Sequence, residues 1–432
     1  MARKQTEFFG FGADISKTCG RRGHRNFSRN MDSGLGLCYN SNAKSGKTNP
    51  RLRFSRKTGG SSMAEMISSG HGYDGIDCII DVPQGRDVRI LQITDAQAML
   101  YKGIRKRYFD ADGREYDSDR RFLQVHNAFF TSGVTDAYTR TWQYIEEGVR
   151  KTDPDILVLT GDNIYGETDD SGELWTEMIE FLDSFQIPWL CIYGNHDNES
   201  LMGVHWQSQA VVNSKYGCLK EGNLKNGNCN YTVGIRQGNA LRCVFYMLDT
   251  NGCRLKPHNF GESLLPNNPD LADLQQTEGI FPDQLEWIRD CGRKISAYAP
   301  GTPSMMFMHV PPAETYLSVA ERYRDTYGKW PFYADRGGDM GVATEAIGGF
   351  STDGQLIAAA KEVNCTGIFA GHQHKVATST YYDGIRLTYG LKTGTGDYHD
   401  RGMLGTTKIT LREGDSAFDV EYVFSEIPYP LG

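Results

Sequence analysis

Five times along this chain a short apolar run stops abruptly in a cluster of groups able to hold a metal ion or move a proton. "VRILQITDAQ" (88–97), "DILVLTGDNIY" (155–165), "PWLCIYGNHD" (188–197), "SMMFMHVPP" (304–312) and "CTGIFAGHQH" (365–374) share the pattern. Near-continuous apolar runs of about four to six residues suit strands buried on both faces. "LRCVFYMLDT" (241–250) reads as another such strand. Helical periodicity occupies 136–151, 173–185 and 282–295, the last opening on Pro282, which suits a first turn. Alternating strands and helices predict an α/β architecture. Segments 385–396, 406–413 and 418–425 read as antiparallel strands that close the chain. In α/β sheets ligands sit in loops beyond the carboxyl ends of the strands, which is where the five polar clusters fall.

The clusters offer Asp95, Asp162, Tyr165, Asn195, His196, Asp197, His309, His372 and His374. Taken singly, a strand-end aspartate reads as a turn or cap residue and a histidine before Pro-Pro as a satisfied core group. Five clusters in one chain read as one site. The set mixes oxygen and imidazole donors without thiolates, which suits iron, zinc or manganese. A two-metal site further needs a carboxylate to bridge ions about 3.5–4 Å apart.

The ordered series D-x-x, GD-x-x-Y, GNH-[DE], an isolated strand-end histidine and GH-x-H resembles the calcineurin-like metallophosphoesterases, and within them most resembles the purple acid phosphatases. It covers roughly residues 85–400. The resemblance implies a four-layer α/β/β/α sandwich with mixed sheets. It implies that Asp95, Asp162, Tyr165 and His374 hold a first metal, while Asp162, Asn195, His309 and His372 hold a second, with Asp162 bridging. It implies hydrolysis of phosphomonoesters by attack of a metal-bound hydroxide. His196 would steady the phosphoryl group and protonate the leaving oxygen, with Asp197 orienting its ring.

Tyr165 and Gln97 are read together. Most of the superfamily has Asp-x-His in the first block, and here the block is "DAQ", with Gln97 in the histidine's place. Purple acid phosphatases also lack that histidine and use the tyrosine of GDxxY. A phenolate is a hard anionic donor, so the resemblance implies Fe(III) at the Tyr165 position, a purple colour, and Fe, Zn or Mn at the second. The chain differs from the family's best-known members in three ways. No histidine follows His309 within 309–323, leaving His399 in "GDYHDRG" as a more distant histidine that reads as surface. The insertion 101–121 directly follows the first block, and residues 1–70 cannot supply the plant enzymes' N-terminal β-sandwich.

Charge divides the chain. Residues 1–60 carry thirteen Lys and Arg against three Asp and Glu, a surplus of +10 that leaves −18 for the rest of a chain whose formal charge is −8. Residues 1–70 therefore read as a basic, Gly/Ser-rich leader, extended unless bound to a partner, and 71–432 as the catalytic domain. The leader suits an acidic protein surface or filament, whereas the overall charge speaks against a dedicated nucleic-acid binder. No stretch reaches the about 7–15 apolar residues of a signal-peptide core or the about 20 of a transmembrane helix. Ten cysteines without close regular spacing read as thiols of an intracellular, cytoplasmic protein, free even at the near pair Cys218 and Cys229. Mitochondrial import is the alternative for an Arg- and Ser-containing start, against which Glu7 and Asp14 count. Two functional classes fit the sequence. One is a dinuclear phosphoesterase acting on a phosphorylated small molecule or phosphoprotein, with diester or nucleotide hydrolysis within reach of the same chemistry. The other is a scaffold of the same fold, anchored by its leader and with weak or no activity.

Overall fold

A computed structural model of the chain describes residues 63–67, 70, 72–99, 134–169, 171–200, 202–222, 224–251, 279–350 and 354–429, with the strand pair 108–109 and 115–116. Residues 1–62 of the expected leader 1–70, and most of the insertion 101–121, lie outside the described residues. Strands β1 (Glu65–Ile67), β2 (Cys78–Asp81) and β3 (Val88–Ile93) precede a small hairpin of β4 (Tyr108–Phe109) and β5 (Glu115–Tyr116). Helix α1 (Val134–Thr152), β6 (Ile156–Thr160), α2 (Glu173–Ser184), β7 (Trp189–Ile192), α3 (Gly203–Val212) and β8 (Gly217–Cys218) alternate. Then come β9 (Tyr231–Gln237), β10 (Ala240–Met247), α4 (Pro282–Ser296), β11 (Ser304–Phe307), α5 (Glu314–Arg322), β12 (Phe332–Tyr333) and β13 (Met340–Ala343). The chain closes with α6 (Gln355–Glu362), β14 (Cys365–Ala370), β15 (Val376–Tyr382), β16 (Ile385–Tyr389), β17 (Gly405–Leu411) and β18 (Phe418–Phe424).

Among the described residues, ten strands form one mixed sheet in the order β1-β2-β9-β10-β11-β14-β16-β15-β13-β12, and six form a second, β18-β17-β3-β6-β7-β8. In the second sheet β3, β6, β7 and β8 run parallel, while β17 adds antiparallel to β3. In the first, β10, β11, β14 and β16 run parallel. Every residue of β6, β7 and β11 is buried, as their apolar runs predict. One hydrophobic core takes residues from both sheets. Within it Phe307 stacks on its cross-strand neighbour Phe369 at 5.1 Å, and Phe369 meets Phe418 of the other sheet at 5.7 Å. Polar ties also cross: the Tyr231 hydroxyl donates to the Cys191 carbonyl at 2.8 Å, and Gln92 Nε2 donates to the Ala370 carbonyl at 3.1 Å. Helix α1 packs on β3 and β17 of one sheet and α6 on β14 of the other, so the predicted layered α/β sandwich with mixed sheets is the fold found.

The three closing strands form as predicted, with one difference: β16 is antiparallel to β15 but parallel to β14. Strand β15, whose polar-rich "VATSTYY" escaped the apolar-run criterion, supplies the antiparallel partner. The near pair Cys218 and Cys229 are free thiols, both buried.

Candidate metal centre

The carboxyl ends of β3, β6 and β7 in one sheet and of β11 and β14 in the other converge on one place, and the five clusters lie there. Asp95 and Asp162 follow their strands in left-handed backbone, with φ of 49° and 50°. Their loops lock together: the Asp95 amide donates to the Gly161 carbonyl at 3.1 Å and the Gln97 amide to the Asp162 carbonyl at 2.8 Å. The "GNHD" turn then donates the His196 amide to Asp162 Oδ1 at 2.8 Å, and "GHQH" donates the His372 amide to Asp95 Oδ2 at 3.0 Å.

Among the described residues, Asp95, Asp162 and His309 are all buried and offer ligand atoms within 4.8 Å of one another. Asn195 and His372 join them: Asn195 Oδ1 lies 3.1 Å from His309 Nε2 and 3.0 Å from His372 Nδ1. His374 Nε2 is 3.3 Å from Asp95 Oδ1, and His309 Nε2 is 3.3 Å from Asp162 Oδ2. The other nitrogens of these two rings are tied to backbone: His309 Nδ1 donates to the Thr160 carbonyl at 2.9 Å and His374 Nδ1 to that of Tyr398 at 2.8 Å. That leaves both Nε2 atoms facing the carboxylates, the orientation a metal-ligating imidazole takes. Two carboxylates and three imidazoles crowded into a largely dry site form an oxygen and nitrogen donor set that fits a metal ion.

The electrostatics follow from this crowding. Burial raises the Asp95 and Asp162 carboxyls, yet the neighbouring histidines outweigh it and hold both well below the usual carboxylate range. Burial lowers His309, yet Asp162 more than reverses this and lifts it to about 9. Burial, helped by the His309 cation, takes His372 down to about 4.

Tyr165 packs its ring face to face on His196, centroids 4.5 Å apart, and so stands beside the GNHD turn. Gln97, in the place of the family's histidine, donates Nε2 to Asp162 Oδ2 at 3.3 Å and accepts at Oε1 from Lys392 Nζ at 2.5 Å. Asp197 does not contact His196 through its carboxylate in the way expected. Its oxygens accept from the backbone amides of Asn163, Ile164 and Gly194 at 2.8–3.1 Å, so it ties the GNHD turn to the GDNIY loop. Burial pushes its carboxyl up to about 7, with Asp162 adding to the rise. The carboxylate that does meet His196 is Glu199, whose Oε2 lies 2.8 Å from Nδ1. His399 is a second correction: it is buried, its Nε2 paired with the Tyr429 hydroxyl at 3.0 Å, because the C-terminal segment covers it.

Three residues at the site have no place in the sequence reading. Glu199 stands three positions after His196 in "GNHDNE", a spacing that one turn brings together and that offers a signal. Asp397 lies in the Gly-rich loop after β16, and its Oδ2 is 3.8 Å from His196 Nε2 and 3.9 Å from His374 Nδ1. Lys392 is buried behind the site, where Nζ donates to the Asp95 carbonyl at 2.9 Å, and burial lowers its pKa. No local pattern marks a lysine for such a position.

The chain is similar to several known proteins. The family profile described as calcineurin-like phosphoesterase matches residues 88–376. A protein of Arabidopsis thaliana named probable inactive purple acid phosphatase 14 is 34% identical over 332 residues, 70% of this chain and 75% of its own length. Probable inactive purple acid phosphatase 29 of the same plant is 24% identical over 58% of this chain and 62% of its own. Probable inactive purple acid phosphatase 28 is 36% identical over 63 residues, and this chain spans only 16% of its length. Among solved structures, a dimetal phosphatase from Danio rerio aligns with 78% of this chain and 99% of its own at 12% identity, with a TM-score of 0.37.

Proposed function

Because the chain belongs to the calcineurin-like phosphoesterase family, we propose that it is a dinuclear metal-dependent phosphoesterase that hydrolyses phosphomonoesters, on a small molecule or a phosphoprotein. The observation that carries this reading is the convergence of carboxylate, amide and imidazole donors from five strand ends of two sheets on one buried place. Asp95, Asp162, Tyr165 and His374 would hold one ion, and Asp162, Asn195, His309 and His372 the other. Bound metals supply Lewis-acid charge against the phosphoryl oxygens and make water a strong enough nucleophile near neutral pH. The phenol of Tyr165 suits Fe(III) at the first position, with Fe, Zn or Mn at the second.

The chain's own residues do the rest. Asp95, Asp162 and His309 stand on rigid strand ends and are shielded from water, so charge developing on the phosphoryl group meets donors that need not reorganise. Asn195, His196, His372 and Asp397 are partly exposed and form the open side where an ester would enter. His196, on that side, would steady a phosphoryl oxygen and protonate the departing alcohol.

The names of the plant relatives favour a second reading, a chain of this fold with little or no turnover. Metal content per chain, measured on protein purified without added metal, separates the two when combined with hydrolysis of p-nitrophenyl phosphate. About two ions including iron, turnover, and a visible band that disappears in Tyr165→Phe are expected. A chain that refuses iron, zinc and manganese and hydrolyses nothing overturns the enzyme.

A further inference from the structure

Beyond β18 the chain runs as a strap along helix α1 toward the loop that borders the metal centre. Three residues on one face of α1 hold it. Arg140 Nη1 donates to the Pro428 carbonyl at 2.7 Å and Lys151 Nζ to that of Phe424 at 3.2 Å. Glu147, between them, accepts from Ser425 Oγ at 2.5 Å and from the Glu426 amide at 3.0 Å. Spacings of seven and four residues place these three side chains in one row along the helix. The strap thereby carries Tyr429 to His399. Two guanidinium groups lie over the Tyr429 ring, Arg401 Cζ at 4.6 Å and Arg140 Cζ at 5.8 Å from its centroid, and cations so placed attract an aromatic face.

His399 passes this hold inward. A carbonyl can only accept, so the 3.0 Å contact of Nδ1 with the Asp397 carbonyl places a ring proton on Nδ1. Burial takes the His399 pKa down to about 4, so the ring is neutral and Nε2 accepts from the Tyr429 hydroxyl at 3.0 Å. Asp397 stands in left-handed backbone, with φ of 59°, a conformation that persists only where neighbours hold it. The next residue, Tyr398, is the one that meets the metal centre. Its carbonyl accepts from His374 Nδ1 at 2.8 Å and its ring stacks on the His374 ring at 4.2 Å. We propose that Tyr429 is a positioning residue for the metal centre: through His399 it fixes the peptide between Asp397 and Tyr398, and so holds His374 with Nε2 toward Asp95 Oδ1, 3.3 Å away. The proposal rests on the reading of His374 as a metal ligand. Outer partners of a ligating imidazole set its orientation, and losing one costs about 10–100-fold in metal affinity.

Zinc titration of metal-free full-length protein, read by calorimetry, tests this. Tyr429→Phe keeps the ring beside the guanidinium groups and removes only the hydroxyl. It is expected to weaken one of two binding steps about ten-fold, the step that His374→Ala abolishes, and to leave the other within about two-fold. In a His399→Gln background Tyr429→Phe should add no further loss, because residues that act through one another are not additive. Equal weakening of both steps would mark Tyr429 as structural only and overturn the proposal, as would no weakening of either or losses that add in the double variant. Amide hydrogen exchange over residues 397–404 of the metal-free protein is a readout that needs no metal. It should speed about five-fold or more in Tyr429→Phe as the loop opens more often. Unchanged exchange overturns the proposal, since the strap then does not hold the loop. If His374→Ala binds zinc as the wild type does, the ligand reading falls and takes the proposal with it. A loss in His374→Ala beside intact binding in Tyr429→Phe sinks the proposal alone.

Discussion

Asp162 and His309 face each other with no solvent between them, and this pair ties the site to the stability of the fold. Burial works against both charges, yet each partner overcomes it for the other, leaving the aspartate depressed and the histidine raised to about 9. A depressed carboxylate contributes stability that is present above its unfolded pKa, about 4, and is lost as pH falls below it. A raised histidine contributes stability that is present below its unfolded pKa, about 6.5, and is lost as pH rises through about 9. Metal-free protein is therefore expected to show its highest thermal midpoint between about pH 4 and 6.5 and to decline on either side. A metal held by His309 would replace its proton, so the alkaline decline should flatten when metal is present. Thermal scans across pH, with and without chelator, check this; identical alkaline declines would remove His309 from the metal's ligands. At this scale the sequence placed Asp95, Asp162, His309, His372 and His374 at strand exits that the fold brings together. It misassigned Asp197, because adjacency to His196 says nothing about which way a side chain points in a turn.

The element that shapes the site is a repeated one: a buried parallel strand whose exit carries a polar residue in strained or sharply turned backbone, with a glycine just before that residue after β6, β7 and β14. Asp95, Asp162 and His372 all have positive φ, the last at 77°. Such conformations cost about 1–3 kcal/mol each in residues other than glycine and persist only where the surroundings hold them. Here the holding bonds run between loops of different strands, such as the His372 amide on Asp95 and the His196 amide on Asp162. The glycines give room for this crossing. A Cβ on Gly194 would overlap Asp162 Oδ1 and its amide, and one on Gly371 would overlap Thr94 Oγ1. Gly194→Ala is accordingly expected to displace the Asp162 carboxylate, lower metal affinity at least ten-fold, and cost about 1–3 kcal/mol of stability through overpacking. Metal titration and chemical denaturation of the variant measure both; unchanged affinity would show that the turn can shift without moving Asp162. The exits of β3, β6, β7, β11 and β14 were legible because a strand buried on both faces is written as a near-continuous apolar run. Strand β15 was not, since its threonines, serine and tyrosines carry no such run.

For the whole molecule, the described end of the leader belongs to the fold: the edge strand β1 pairs antiparallel with β2, and Ala64, Met66 and Ile67 pack against the core. Among the described residues no helix is long and apolar enough to cross a membrane. We propose that residues 1–60, with their surplus of +10, bind an acidic protein surface or filament rather than take part in hydrolysis. A chain lacking these residues is expected to keep the metal content and turnover of the full chain and to lose salt-sensitive co-sedimentation with an acidic filament. Loss of folding in the shortened chain would instead assign the leader to the domain.

The sequence by itself determined the α/β class, the order of the strands that feed the site, and the donor types at their ends. These are local properties: a buried strand needs apolar residues in a row, and a ligand needs its own atom. Tertiary structure decided which carboxylate meets His196, that Asp397 faces it from a distant loop, and that Lys392 backs Gln97 from a position nearly 300 residues along the chain. Those pairings depend on the angle at which two sheets bring their ends together and on the direction each side chain takes in a turn. Neither is a property of any short stretch of sequence.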